Sequence, residues 1–131
     1  MLKSFYIFNK NGALLFNHEI AANPSDPKLV GAFLSAISSW AEMYSQSGVA
    51  LFMTGSMKFL FDQSYYASDL IFCIASSKEH PDKDLHERMS LILENFLHFF
   101  WEDRASLEQG IISKEKIEQF RALVQEFLNK E

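Results

Sequence analysis

The residues of this 131-residue chain that could bind a metal or transfer protons include four histidines. His98 falls on a predicted helix beside Glu94, Glu102 and Asp103, and carboxylate and imidazole groups together can bind a divalent cation. The four histidines do not have the spacing of a zinc site, however, and a match this loose arises mostly by chance. We therefore expect these residues to be solvated and predict no metal site.

The hydroxyl and thiol groups do not predict a nucleophile. Ser90 and Ser113 would each need a base within hydrogen-bonding reach, and closeness in sequence does not establish one. Ser90 is better interpreted as a helix residue and Ser113 as a helix cap. Cys73, the single cysteine, lies in the apolar run 70–75, where burial makes a thiol unreactive. The five glycines are scattered and form no phosphate-binding loop, so we predict no catalytic residue and no cofactor.

Composition limits the classes of partner. The formal net charge of −5 disfavours electrostatic binding to nucleic acid or to anionic lipid. Hydrophobic residues make up 48% of the chain, and thirteen phenylalanines supply a core for a single domain over residues 1–131. No secretory leader and no apolar run long enough to span a bilayer is apparent. We expect a cytoplasmic protein whose membrane association, if any, runs through partners.

Two strands and a helix are predicted in the first half of the chain. Aromatic and β-branched residues on either side of Asn11-Gly12 indicate a hairpin with strands 2–9 and 13–19. Asp26 and Pro27 suit a helix start, and Gly48 suits its end. The helix predicted over 27–47 has one apolar stripe, formed by Val30, Phe33, Ile37, Trp40 and Tyr44.

Three more strands follow. Gly55-Ser56 suits a tight turn between strands 49–54 and 57–63. In the second of these strands, alternation predicts one apolar face, with Leu60 as an exception on the polar face. The run 70–76 is apolar almost throughout, which predicts a central strand buried on both faces.

Two helices complete the chain. Asp84 and Glu87 have the spacing of a capping box, and an apolar stripe then continues to about Asp103. Ser113 is the predicted cap of the last helix, whose stripe consists of Ile117, Phe120, Val124 and Phe127. Large aromatics crowd the end of the first of these helices, and they could all be core or could contribute to an interface: Phe96, Phe99, Phe100 and Trp101.

The predicted fold class is α+β: a five-stranded antiparallel sheet with one helix on one face and two on the other, in the order β-β-α-β-β-β-α-α. This order resembles that of the longin domain, a member of the SNARE-like group of folds. The resemblance is carried by residues 5–16, 57–59 and 70–74 and spans nearly the whole chain. Roadblock domains are close cousins but place a helix before the first strand, for which residues 1–4 leave no room.

The resemblance implies a function in protein–protein interaction. Longin-like domains act as adaptors in tethering complexes, vesicle coats and platforms for Ras-like small GTPases, and they commonly pair with another longin or roadblock-type domain. The resemblance therefore implies a non-catalytic module that forms a homodimer or heterodimer. No SNARE coiled coil or membrane anchor follows Glu131, so we do not expect direct fusion activity.

The predicted partner-binding residues lie on the helix 27–47 and on the strand that follows it. Small residues on the non-apolar side of the helix would let another backbone approach closely, and ordinary solvent exposure is the alternative interpretation. The predicted set is Gly31, Ser35, Ser39 and Glu42 on the helix and Val49, Leu51 and Met53 on the strand. The alternative function is a small-molecule sensor, or an enzyme of unknown type, with an apolar pocket lined by Phe59, Phe72 and Phe96.

Overall fold

The computed structural model describes residues 2–9, 14–19, 49–53, 57–62, 70–100, 102 and 113–129. Over these residues five strands are followed by two helices. The strands are β1 (Leu2–Asn9), β2 (Leu14–Glu19), β3 (Val49–Met53), β4 (Met57–Asp62) and β5 (Leu70–Ser77). The helices are α1 (Asp82–Phe100) and α2 (Lys114–Asn129).

The strands form one antiparallel sheet in the order β2-β1-β5-β4-β3. Strand β5 lies at the centre between β1 and β4, and every residue from Leu70 to Ser76 is buried. The prediction of a central strand is confirmed, because a continuous apolar run can be accommodated only where both faces of the sheet are covered. Strands β2 and β3 form the two edges.

Both described helices pack against the same face of the sheet. The core on this face joins strand residues such as Phe72 and Ile74 to helix residues such as Phe96, Phe100 and Phe120. Its aromatic rings pack edge to face, with centroids 5.0 Å apart for Phe72 and Phe96 and 5.4 Å apart for Phe96 and Phe120. We call this the helix-covered face.

The opposite face of the sheet has its own buried cluster, which we call the second face. It consists of Tyr6, Phe61, Ile71, Cys73 and Ala75, and it includes no residue of α1 or α2 among the described residues. Cys73 is fully buried, and this burial raises the pKa of its thiol well above the ordinary value. The predicted burial of this thiol is confirmed.

The predicted fold class requires correction. The described residues contain two helices rather than three, and the element order over them is β-β-β-β-β-α-α rather than β-β-α-β-β-β-α-α. The helix predicted over 27–47 lies outside the described residues. The amphipathic stripes of α1 and α2 show that each helix has an apolar side, but the pairing of the helices on one face depends on contacts between them and the sheet.

The polar face predicted for β4 is also wrong. Leu60 is fully buried on the helix-covered face, and its neighbours on that face, Lys58 and Asp62, are only 6% and 9% exposed. Met57 and Phe59 lie on the second face, as the alternation along the strand predicts. The residues that alternate with them are nevertheless buried and not exposed to solvent. Burial of Lys58 is possible because the start of α1 supplies polar partners for it.

The helix starts test two capping predictions. The backbone N–H of Ile117 donates to the carbonyl of Ser113 at 2.9 Å, and the Lys116 N–H lies 3.4 Å from the Ser113 hydroxyl, so the predicted cap at Ser113 is confirmed. The predicted cap at Asp84 is wrong, because α1 begins two residues earlier and the Leu85 N–H donates to the carbonyl of Pro81 at 3.2 Å. Asp84 binds side chains instead.

The crowded aromatics at the end of α1 are core residues as far as they are described. Phe96 and Phe100 are fully buried, and Phe99 is partly buried against the same core. Trp101 lies outside the described residues. Of the two interpretations of these aromatics, core or interface, the core interpretation applies to Phe96 and Phe100.

Candidate functional site

Strand β3 is an edge of the sheet that presents apolar side chains to solvent. Leu51 is 38% exposed and Met53 is 52% exposed. These residues pair with Leu60 and Lys58 of β4, so they lie at the rim of the helix-covered face. An edge strand also presents backbone N–H and C=O groups that are free to pair with another strand. Exposed apolar side chains on such an edge are typical of a protein-binding surface.

The predicted partner-binding residues fall into two groups in the structure. Val49, Leu51 and Met53 all lie on β3, where Val49 pairs with Asp62. The other predicted residues, Gly31, Ser35, Ser39 and Glu42, lie outside the described residues. The strand half of the predicted surface is thus placed on an exposed edge, and its role in binding stays a prediction.

The other edge, β2, is contacted by a cation from α2. Nη1 of Arg121 donates to the backbone carbonyl of Asn17 at 2.5 Å, and the guanidinium carbon lies 4.8 Å from the centroid of the Phe16 ring. The Nε of Arg121 lies 3.4 Å from Oε1 of Glu118, one turn earlier on the helix. Sequence reasoning missed Arg121, because 104 positions separate it from Asn17 and no local pattern connects them.

The charge of Arg121 also affects the neighbouring histidine. Desolvation lowers the pKa of His18, the positive charge of Arg121 lowers it further, and the carboxylate of Glu19 opposes both effects. Both effects disfavour a second positive charge at this edge. On the second face, the Tyr6 hydroxyl donates to Oε1 of Glu19 at 2.7 Å, and burial above all raises the pKa of this phenol.

A buried lysine joins β4 to the start of α1. Nζ of Lys58 donates to the carbonyl of His80 at 2.6 Å and to Oδ1 of Asp82 at 2.5 Å. The Lys58 side chain is almost fully buried, whereas Asp82 is largely exposed. Asp82 stands at the first position of α1, where the helix dipole favours a negative charge. The cation thus has two hydrogen-bond partners, and its role here is structural.

Replacing Lys58 with methionine is expected to lower the free energy of unfolding by about 1–3 kcal/mol, since the His80 carbonyl loses its charged donor. Chemical denaturation monitored by circular dichroism measures this change. Lys83→Met is the matched control. Lys83 is exposed, and its Nζ lies 3.9 Å from Oε1 of Glu87, so this surface ion pair is worth only about 0–1 kcal/mol. Equal losses in the two variants would contradict the structural role of Lys58.

Arg88 and Asp84 connect α1 to the end of α2. Oδ2 of Asp84 accepts from Nε of Arg88 at 2.7 Å and lies 2.5 Å from Nε2 of His80. Nη1 of Arg88 donates to the carbonyl of Phe127 at 2.6 Å and lies 3.3 Å from that of Leu128. These carbonyls belong to the last turn of α2, which has no further helical N–H groups to bind them. Arg88 therefore stabilises the C-terminal end of α2.

The Asp84 interactions predict an acid-sensitive contribution to stability. Desolvation alone would raise the pKa of Asp84, but the hydrogen bonds from His80 and Arg88 and their positive charges lower it below its ordinary value. A carboxyl whose pKa is lowered by folding stabilises the fold above its unfolded pKa, and this contribution is lost as the pH falls through the folded pKa.

Urea unfolding of wild type and Asp84→Asn checks this expectation. We expect the wild type to be the more stable protein at pH 7. We expect the difference to begin to shrink near about pH 4, where the carboxyl of the unfolded chain becomes protonated, and to be lost as the pH falls through the lower pKa that Asp84 has in the folded protein. A stability difference that is the same at pH 7 and pH 3 would contradict the assignment.

An open cleft of about 580 Å³ lies between the end of α1 and the start of α2. Its lining residues are Glu94, Leu97, His98, Phe99, Glu102 and Lys116. The group of His98, Glu94 and Glu102 considered from the sequence is therefore at this cleft. Among the described residues, no three histidine, cysteine, aspartate or glutamate side chains are placed to hold a metal ion.

The apolar pocket considered as an alternative does not form from the three phenylalanines named for it. Phe72 and Phe96 pack against each other in the core of the helix-covered face, with ring centroids 5.0 Å apart. Phe59 packs on the second face, on the other side of the sheet. The three rings do not line one cavity.

Neither α1 nor α2 combines the length and the apolar character that a bilayer-crossing helix needs.

Comparison with known proteins gives a fold but not a sequence family. No protein-family model matches the chain, and no curated protein matches its sequence. A Roadblock/LC7 domain from Streptomyces avermitilis superposes with a TM-score of 0.63 at 11% identity, over 76% of this chain and 86% of that one. Myxococcus xanthus MglB gives 0.62 at 11% identity, over 77% and 85%.

A third structure, described as MglB with a tetrameric arrangement, gives a TM-score of 0.51 at 10% identity over 97% of this chain and 80% of that one. At such low identity these likenesses establish the fold alone. The chain has the fold of Roadblock/LC7 domains, which belong to the longin-like, SNARE-like group of folds. The predicted fold group is therefore confirmed, while the narrower longin family stays a prediction.

Proposed function

We propose that this chain is a non-catalytic adaptor domain that dimerises through strand β3 and works in a small-GTPase regulatory or vesicle-trafficking complex. The observation that carries this proposal is the β3 edge, on which Leu51 and Met53 are exposed. The shared fold with Roadblock/LC7 domains supports it, as does the resemblance to longin-like adaptors.

The proposed mechanism is strand addition. A second copy, or another longin or roadblock-type domain, pairs its own edge strand with β3, so that the two sheets become continuous. Backbone hydrogen bonds supply affinity in this mode, and side chains on alternate positions supply specificity. Leu51 and Met53 occupy alternate positions, and Gly31, Ser35, Ser39 and Glu42 form the other half of the proposed surface. Small residues there allow close approach of the partner.

The composite surface of the dimer is the proposed platform for a Ras-like small GTPase. The ionic groups of the described residues suit this non-catalytic role, because Lys58, Asp84 and Arg88 are occupied in joining α1 to the rest of the fold. The net charge of −5 favours a protein partner over nucleic acid. We place the protein in the cytoplasm, with membrane contact through its partners.

The proposal is tested by measuring mass and GTPase binding with purified proteins. Light scattering coupled to size-exclusion chromatography is expected to give twice the 15.1 kDa mass of the chain. Titration calorimetry with Ras-like GTPases, each loaded with GDP or with a GTP analogue, is expected to show nucleotide-dependent binding to the dimer. A protein that stays monomeric at high concentration would contradict dimerisation, and the absence of nucleotide-dependent binding would contradict the platform role.

A further inference from the structure

The two edges of the sheet differ in regularity. On one side, β3 pairs with β4 in an unbroken register from Val49 opposite Asp62 to Met53 opposite Lys58. On the other side, the register of β2 against β1 shifts between Ile7, which pairs with Phe16, and Phe8, which pairs with Leu14. Leu15 is therefore the extra residue of a bulge in the edge strand. A bulge increases local twist and impedes the docking of another strand.

The β2 edge also has a charged side chain against its backbone. Two residues beyond the bulge, the carbonyl of Asn17 accepts a hydrogen bond from Nη1 of Arg121 at 2.5 Å. The guanidinium is held there by the Phe16 ring beneath it and by Glu118 beside it. About a third of the Arg121 side chain is exposed, so a strand approaching this edge would meet a hydrated positive charge.

Strand β3 differs from β2. Its pairing with β4 has no bulge, and the hydrogen bond from Arg121 is made to β2. Its exposed residues, Leu51 and Met53, are uncharged. Proteins commonly protect one sheet edge with bulges and inward-reaching charges and leave another open for a specific partner.

We propose that Arg121, together with the bulge at Leu15, closes the β2 edge to strand addition, so that copies of this chain join only through β3 and assembly stops at two chains. The choice of β3 as the open edge rests on the proposed function. The closure of β2 does not, because it depends only on contacts within one chain. With both edges open, each copy could accept two neighbours, and the sheets would extend into longer assemblies.

The experiment removes the cation while keeping an unbranched apolar stem. Arg121→Met leaves an apolar stem over Phe16 but no donor for the Asn17 carbonyl. We expect this variant to form species larger than the dimer, in proportions that rise with concentration, when its mass is followed by light scattering. Circular dichroism and thermal melting verify that the methionine variant is folded. If it is not folded, Arg121→Gln takes its place, because glutamine is neutral and shorter than arginine.

Arg88→Met is the matched control, because it also removes an arginine that donates to backbone carbonyls, yet those carbonyls end α2 and are not on a sheet edge. The control is expected to keep the wild-type oligomeric state. Larger species in the control as well would overturn the proposal, since they would follow from loosened helices in general. An unchanged oligomeric state in a folded Arg121 variant would overturn it too.

A variant in which the β3 edge is blocked tests the closure of β2 separately from the proposed dimerisation through β3. Leu51→Lys with Met53→Lys is expected to block β3 and leave a monomer, and adding Arg121→Met is expected to restore self-association through β2. If the wild type is itself a monomer, dimerisation through β3 fails, yet Arg121→Met is still expected to self-associate. A folded triple variant that stays monomeric would overturn the closure of β2 by Arg121.

Discussion

Truncating Phe120 to alanine is expected to lower the free energy of unfolding by about 3–5 kcal/mol, because it leaves a cavity where α2 meets the sheet and α1. The Phe120 ring is fully buried, and its centroid lies 5.3 Å from that of Phe16, 5.4 Å from that of Phe96 and 5.5 Å from that of Phe100. Native domains are stable by only about 5–15 kcal/mol, so this loss would remove much of the total.

Urea unfolding at equilibrium measures the loss, and Phe120→Leu is the matched variant. Leucine fills much of the same volume, so we expect a smaller loss of about 1–2 kcal/mol. If alanine and leucine cost the same, the ring is not the central contact that its geometry indicates. Arg121, next in the chain, would lose its position in the alanine variant, and self-association of that variant is therefore also expected.

Placing lysines at both exposed positions of β3 is expected to raise the dissociation constant of the proposed dimer by about 100-fold or more. In an antiparallel pairing of two β3 strands, Leu51→Lys and Met53→Lys would bring four like charges together, and juxtaposed like charges cost several kcal/mol, where 1.4 kcal/mol is tenfold. The same change removes the apolar contact. Sedimentation equilibrium over a range of concentrations measures the constant.

The control for this prediction is Leu91→Lys. Leu91 is 46% exposed, which is comparable to Leu51 and Met53, but it lies on helix α1 and not on an edge strand. The control is expected to leave the dissociation constant unchanged. If Leu91→Lys weakens the dimer to a comparable extent, the interface includes α1 and the assignment to β3 is wrong. If the two lysines on β3 leave the dissociation constant unchanged, β3 is not part of the interface.

The parts of the fold that follow from local pattern were predicted from the sequence. The apolar run from Leu70 indicated a buried central strand, and the structure places β5 between β1 and β4. Ser113 caps α2 as expected, since a cap needs only a side-chain oxygen within the same turn. Cys73 is buried for the same local reason, because its neighbours on the strand are all apolar.

The parts that depend on distant contacts were not predicted. Lys58 and Asp62 have the polarity of a solvent-facing side of β4, yet they are buried because α1 packs over them and supplies polar partners to Lys58. Asp84 has the spacing of a cap, yet it binds His80 and Arg88, each four residues away. The burial of Lys58 depends on a contact 24 residues along the chain, whereas the spacing of Asp84 fits both a cap and these two pairs and does not choose between them.

The sequence by itself determined where strands and helices lie in the second half of the chain, which strand is central, and that Leu51 and Met53 belong to one face of a strand, because these follow from spacing along the backbone. Only the tertiary structure decided that the polar residues Lys58 and Asp62 of β4 are buried. It also placed Arg121 against Asn17, at the β2 edge. Those features arise from packing between segments far apart in the chain, where burial of apolar surface and pairing of charges select one arrangement among many that the local pattern allows.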